Sequence, residues 1–156
     1  MAALGSKWEG LQSVAAQTLG RWGDRESVEA LRDLWLRCQG RKNASSLQGV
    51  VARSLASCVG AQDAEWVLDC YFDSFKTSHS YLGIVVGTLP FETTRKRLLE
   101  ESHSPQRNRR HAALVVLGRL PVSERRALLK RFLDDEDGDI RAIAYHLDSP
   151  FLPGEK

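Results

Sequence analysis

The sequence VVGTLPFETTRKRLLE, residues 85–100, has a near-repeat thirty-one residues later in VLGRLPVSERRALLKR, residues 116–131. In both stretches an apolar run reaches a glycine, then a Leu-Pro pair, then a polar turn and a charged segment with leucines. A period of roughly 30 to 40 residues that holds two helices is typical of an α-solenoid. Two short helices cannot bury their apolar faces alone, so neighbouring pairs must stack.

Glycine and proline mark the corners of the predicted helix pairs. Gly87 and Gly118 occupy the same place in the two stretches, and so do Pro90 and Pro121. Proline ends a helix because it lacks an N–H, and glycine permits close packing. We therefore expect these four residues to have a structural role between repeats.

Apolar residues spaced near 3.6 predict helices along the whole chain, and no segment convincingly predicts a strand. The first helix is marked by Leu11, Val14, Ala15, Thr18 and Leu19. The second carries an apolar stripe at Val28, Leu31, Leu34, Trp35 and Cys38. Asp24 and Asp63 are predicted to cap the second and fourth helices, and a ninth helix is predicted over residues 137–147.

The ninth predicted helix carries a recognisable motif. Asp139-Ile140-Arg141-x-x-Ala144 resembles the HEAT-repeat signature D-[VI]-R-x-x-A, and the bacterial short-repeat type is the most similar class. The signature is complete only here, because the preceding unit has Asn-Arg-Arg-His at residues 108–111. The resemblance implies that Asp139 and Arg141 bridge adjacent repeats.

The expected fold is all-α: a right-handed α-solenoid of about four HEAT-like helix pairs plus a terminal helix. The expected organisation is an N-terminal leader at residues 1–9, a HEAT-like repeat domain at 10–149 and a C-terminal tail at 150–156.

Composition indicates a globular protein, with 156 residues, 42% hydrophobic and 27% charged. No apolar stretch approaches the roughly 18 to 20 residues that span a bilayer, and no secretory signal is recognised at the start. Three cysteines without a C-x-x-C pair are typical of a reducing compartment. We therefore expect a cytoplasmic protein with no membrane partner, metal or cofactor.

Charge is unevenly distributed, although the net charge is only +2. Residues 91–131, the basic block, hold eleven basic and four acidic side chains, and an acidic segment follows. Seven of these basic residues are candidates for binding a partner: Arg95, Lys96, Arg107, Arg109, Arg110, Arg126 and Lys130. The alternative interpretation is a solvated face with internal pairing to residues 134–139.

The tryptophans lie in the first half of the chain. Trp35 and Trp66 are expected to pack between helices. Trp22 falls in a predicted turn and Trp8 in the leader, so both interpretations, corner packing and interface anchor, are open for these two.

No catalytic motif is present: the sequence has no G-x-S-x-G, P-loop or H-E-x-x-H. The leading hypothesis is a non-enzymatic scaffold or adaptor that binds a protein on the concave face of the array. The alternative is nucleic-acid binding by the basic block, either to the backbone alone or in the manner of the HEAT-repeat alkylpurine DNA glycosylases. A third hypothesis, similarity to the HEAT-like phycobilin lyases, rests on the repeat class alone.

Overall fold

The computed structural model of the chain describes residues 2–39, 45–73 and 79–149. These ranges contain helices and turns but no strand, which confirms the predicted all-α class. The helices are α1 Glu9–Trp22, α2 Arg25–Cys38, α3 Ser45–Ala56, α4 Ala64–Asp73, α5 His79–Val86, α6 Phe91–Ser102, α7 Arg107–Leu117, α8 Val122–Leu133 and α9 Gly138–Asp148. Short 3-10 turns at Ala2–Gly5 and Ala61–Asp63 precede α1 and α4. The predicted tail at 150–156 lies outside the described residues.

Local signals fix several helix ends. The Asp24 carboxylate accepts a hydrogen bond from the Ser27 N–H, so Asp24 is the predicted N-cap of α2. Gly23 ends α1 with φ at 67°, a left-handed conformation that favours glycine. Asp63 differs from the prediction: its carboxylate accepts from the Gly60 N–H, at the start of the 3-10 turn before α4. It therefore closes that turn instead of capping α4.

The chain divides into two compact units, Met1–Thr94 and Arg95–Lys156. In the first unit α3 packs against α1, α2 and α5, while α4 packs against α5. The predicted α2 stripe is buried in full, with Leu31, Leu34, Trp35 and Cys38 completely inaccessible. Trp35 thus packs in the core as expected.

Helix α1 turns a different face to this core than its apolar residues suggest. Its buried residues are Gln12, Ala16, Leu19 and Gly20. A Cβ atom on Gly20 would lie 2.8 Å from the Ser54 Cα, so α1 and α3 approach closely at a small residue. Leu11 and Val14, which helped to mark the helix, are exposed.

The second unit is built on α7, α8 and α9, each of which packs against the other two. Its core includes Leu114, Leu117, Leu129, Phe132 and Ile140, all almost completely buried. Helix α9 begins one residue later than predicted, and Asp137 caps it by accepting hydrogen bonds from the N–H groups of Asp139 and Ile140. The segment Asp139-Ile140-Arg141 therefore lies in the first turn of a capped helix.

The two predicted proline corners have the same local geometry. Pro90 and Pro121 each stand directly before a helix, and each carbonyl accepts from the N–H three residues later at 3.0 Å. Gly118 has a right-handed φ of −61°, so it is not a left-handed corner. Its role is close approach, because a Cβ there would lie 3.2 Å from the Leu147 Cδ2 of α9. Gly87 is exposed, and its N–H donates to the Gly83 carbonyl.

Candidate functional site

Four large apolar side chains are exposed along one side of α1 and its N-cap. The exposed fractions are 78% for Trp8, 47% for Leu11, 61% for Val14 and 68% for Trp22. At 100° per residue these positions fall within about one third of the helix circumference. We call this set the α1 stripe. A contiguous exposed apolar surface is unusual and marks an interaction site more often than a single exposed leucine does.

A small cavity lies beside the α1 stripe. It has a volume of about 150 Å³ and is lined by Ala3, Leu4, Ala15, Thr18, Leu19 and Trp22. Leu4 is buried, and its carbonyl accepts from Gln12 Nε2 at 3.1 Å. This hydrogen bond holds the 3-10 turn Ala2–Gly5 against α1, so one wall of the cavity is fixed.

A second cavity, of about 420 Å³, also has Leu4 in its wall. Its polar lining comes from α2 and is mainly acidic: Glu26, Glu29, Asp33 and Arg37. Because Leu4 lines both cavities, the apolar surface of α1 has a negatively charged flank. Arg25 forms an ion pair with Glu29 at 3.2 Å on the same helix, which offsets part of this charge.

The seven candidates of the basic block divide into residues that carboxylates hold at hydrogen-bond distance and residues with a long ion pair or none. Arg107 forms ion pairs with Asp137 and with Asp139, the latter at 2.9 Å. Arg109 forms an ion pair with Glu101 at 2.6 Å. The first of these arginines is thus paired with the acidic segment 134–139, as the internal-pairing interpretation requires, whereas the second is paired with α6.

The third residue held in this way is Arg110, which is almost completely buried and binds Asp135 and Glu136. Its contact with Asp135 is bidentate: Nε and Nη2 of Arg110 donate to the two Asp135 oxygens at 2.8 and 3.2 Å. Three of the seven candidate binding residues are therefore held by carboxylates of their own unit at hydrogen-bond distance.

These contacts change the pKa of two carboxylates. Burial works to raise the pKa of Asp135, but the hydrogen bonds from Arg110 and from the Asp137 N–H outweigh it and lower the pKa. The hydrogen bond from Arg107 likewise lowers the pKa of Asp137 to about 2, with help from the Ile140 N–H. Both carboxylates are therefore ionised at neutral pH and hold their arginines firmly.

The other four candidates are exposed. Lys96 lies 3.9 Å from Glu100, and Arg126 lies 3.7 Å from Asp148. Neither Arg95 nor Lys130 has an ion pair with the described part of the chain. Ion pairs this open contribute little to stability and leave the charge accessible to solvent.

The residues of the repeat signature have different contacts. Asp139 of α9 accepts a hydrogen bond from Nη2 of Arg107, which lies 32 residues earlier at the start of α7. Arg141 does not reach α7: its Nη1 donates to the carbonyls of Asp135 and Glu136 in the turn before its own helix. These contacts follow from the geometry of the turn, which folds its carbonyls over the first turn of α9.

Sequence reasoning missed one buried cation. Arg125 of α8 is buried and donates to the carbonyls of Leu120 and Leu147. Nothing in its local sequence separates it from exposed Arg126.

Trp66, predicted to pack between helices, is partly exposed, and the Arg32 guanidinium lies 5.2 Å from the centre of its ring.

Within residues 2–39, 45–73 and 79–149, no group of three or more His, Cys, Asp or Glu side chains is placed to hold a metal ion. None of the helices described has the length and apolar content needed to cross a bilayer. Comparison of the chain with protein-family models and with curated proteins finds no match.

Proposed function

We propose that the chain is a non-enzymatic HEAT-like repeat module that binds a protein partner through the α1 stripe. The observation that carries this proposal is the exposure of Trp8, Leu11, Val14 and Trp22 on one side of a helix whose opposite face is packed. Burying such side chains against a partner releases roughly 25 cal/mol for each Å² of apolar surface. Tryptophan is also enriched among binding hot spots.

Support for the repeat assignment comes from packing within each unit. Helices α1, α3 and α5 contact one another in sequence, with α3 against both others, and α7 contacts α9 in the same alternating manner. Corner prolines and helix-entry arginines recur once per repeat period with the same local contacts. We therefore propose stacked helix pairs in a right-handed solenoid.

The partner we propose is an amphipathic helix. Trp8, Leu11, Ala15, Thr18 and Trp22 are spaced alternately by three and four residues, the pattern of a seam between two helices. The cavity beside Trp22 has room for one aliphatic side chain. The acidic lining contributed by α2 favours a partner helix with lysine or arginine along one edge.

The location of the proposed surface differs from the sequence-based hypothesis, which placed protein binding on the concave face of the array and named seven basic residues as candidates. Arg107, Arg109 and Arg110 are engaged by carboxylates of their own unit. Recruiting them for a partner would break ion pairs already made. Burying the apolar side chains of the α1 stripe would break no such ion pair.

Site-specific photo-crosslinking tests this function. A benzoylphenylalanine placed at Val14 is expected to give a discrete adduct in cell extract, and one placed at Gln17, exposed on the polar side of the same helix, is not. The adducted protein is then identified, purified and titrated against the chain and its Trp22→Ser variant. Equal labelling from both positions, or unchanged affinity in the variant, would refute the proposal.

Nucleic-acid binding is the second candidate, favoured by the exposed side chains of Arg95, Lys96, Arg126 and Lys130. Such a surface binds phosphate with a strong dependence on salt because counterions are released. Titration of duplex DNA at two salt concentrations tests it. Absence of salt-dependent binding eliminates this candidate and leaves the protein-binding proposal intact.

We also propose that the protein works in a reducing compartment such as the cytoplasm. None of Cys38, Cys58 and Cys70 is in a disulfide. Burial raises the pKa of both the Cys58 and the Cys70 thiols, so they remain protonated and poorly reactive at neutral pH.

A further inference from the structure

Two arginines at equivalent positions of successive repeats make the same hydrogen bonds at the start of their helices. Nη1 of Arg110 donates to the carbonyls of Ser104 and Pro105, which are six and five residues earlier. Nη1 of Arg141 donates to the carbonyls six and five residues before it, in the turn that precedes α9. The two guanidinium groups are therefore held in equivalent places on α7 and α9.

The second edge of each guanidinium has a different environment. Nε and Nη2 of Arg110 bind the carboxylate of Asp135, which stands in the turn that leads into α9. The same two nitrogens of Arg141 have no hydrogen-bond partner within the described ranges 2–39, 45–73 and 79–149. They form a bidentate donor edge with no carboxylate on it.

The surface beyond this edge shows the same contrast. Leu114, one turn after Arg110, is completely buried in the unit where α9 covers α7. Tyr145, one turn after Arg141, is 62% exposed. Helix α9 runs parallel to α7: Asp135 meets Arg110 near the start of α7, and Leu147 meets Gly118 at its end. The face of α9 that carries Arg141 and Tyr145 thus corresponds to the face of α7 that α9 covers.

We infer that this face of α9 binds a helix of a partner protein and that an acidic turn directly precedes that helix. In the complex, an aspartate or glutamate of that turn accepts hydrogen bonds from Nε and Nη2 of Arg141. The helix that follows runs parallel to α9 and covers Tyr145. This contact with a separate chain reproduces the contact that the turn before α9 makes with Arg110 of α7. It does not depend on the α1 stripe, which lies in the other unit.

The occupant is specified by chemistry at two points. Nε and Nη2 of Arg141 can donate to the two oxygens of one carboxylate in bidentate geometry. A basic or wholly apolar segment has no carboxylate to place there. A second ion pair such as the one from Arg107 is not available, because the equivalent position of the next repeat is Gly138. A helix preceded by one well-placed acid, with an apolar side chain for Tyr145, is therefore sufficient.

The probe is a peptide with the sequence of residues 133–149, LDDEDGDIRAIAYHLDS, held helical by a side-chain lactam. This segment is the one whose turn satisfies Arg110 within the chain. The ¹⁵N-labelled full chain is titrated with it and followed by NMR. We expect the Arg141 Nε–H resonance and the amides around Tyr145 to shift, and the same peptide with Asp135→Asn to bind at least about tenfold more weakly.

Chain variants separate binding from folding. Arg141→Lys retains a donor for the turn carbonyls but loses the bidentate edge, and Tyr145→Ala changes an exposed side chain; both are expected to fold and to bind the peptide more weakly. Arg21→Ala, at an exposed arginine of α1, is expected to bind it unchanged. Absence of shifts, or binding indifferent to Arg141→Lys, overturns the inference. Shifts that grow with chain concentration without peptide would assign the face to a second copy and would also overturn it.

Discussion

The α1 stripe and the basic block differ in how far their own unit satisfies the side chains. In the basic block, carboxylates at hydrogen-bond distance satisfy Arg107, Arg109 and Arg110. In the α1 stripe, large apolar side chains remain in contact with water, and the helix buries small residues instead. The comparison shows that charge content alone does not separate side chains already held by their own unit from those left in contact with water.

The physical basis is an asymmetry in cost. A surface arginine is well solvated whether or not it is paired, so its exposure carries no penalty. An exposed tryptophan forgoes the free energy that burial of its ring would provide. A run of such residues on one helix face is therefore the more informative observation, and the following measurements test the two halves of the comparison.

The largest effect is expected from breaking the buried ion pair. Arg110→Ala leaves the Asp135 carboxylate buried without its partner, and the expected loss in unfolding free energy is about 3–5 kcal/mol. Chemical denaturation measures it. The control, Arg126→Ala at an exposed arginine, is expected to cost less than about 1 kcal/mol. Equal losses in the two variants would show that the ion pair between Arg110 and Asp135 is not structural.

A second, smaller effect is expected at the buried face of α1. Gly20→Ala places a Cβ 2.8 Å from the Ser54 backbone, so the helices must separate, at a cost of about 1–3 kcal/mol. Gly10→Ala in the same helix meets nothing within 4 Å and is expected to stabilise the protein by up to about 1 kcal/mol. Thermal melts of the pair test which side of α1 is packed. A reversed order would contradict the placement of the stripe on the outer side.

The sequence predicted the helices well because periodicity and helix ends are local properties. The α2 stripe, the cap at Asp24 and the proline corners follow from such signals. The face that α1 buries was not predictable, because hydrophobicity ranks Leu11 and Val14 above Ala16 and Gly20. The close approach of α3 makes small residues necessary there, and that constraint comes from another helix.

The candidate site was predictable only in part, for the same reason. The repeat period pairs Arg110 with Arg141 in sequence, and the structure gives them the same carbonyl contacts. The partner of the second edge depends on which helix comes to lie alongside. The net charge of residues 91–131 likewise predicted a positive surface. Such a count does not show that carboxylates of the turn before α9 neutralise Arg107 and Arg110.

A pH effect is expected from the acidic turn before α9. The pKa of Asp137 is lowered from 3.8 to about 2 in the folded protein, so the group stabilises the fold above about pH 4 and loses that contribution as pH falls toward 2. Unfolding free energy measured from pH 5 to pH 2 should therefore fall. Asp137→Asn should be less stable at pH 5 and show a shallower decline. An unchanged slope in the variant would exclude this carboxylate as the source.

The smallest effect on stability is expected in the α1 stripe. Val14→Lys replaces an exposed side chain on the outer side of α1, where no packing is lost, and should change the unfolding free energy by less than about 0.5 kcal/mol. The matched substitution Leu31→Ala, at a completely buried position of α2, should cost about 2–5 kcal/mol. Chemical denaturation of both variants measures the unfolding free energy. Titration with the purified partner that cross-linking identified then measures binding separately. A folded Val14→Lys protein that has lost its partner supports the stripe as an interface, whereas large destabilisation would mean that this face of α1 is packed.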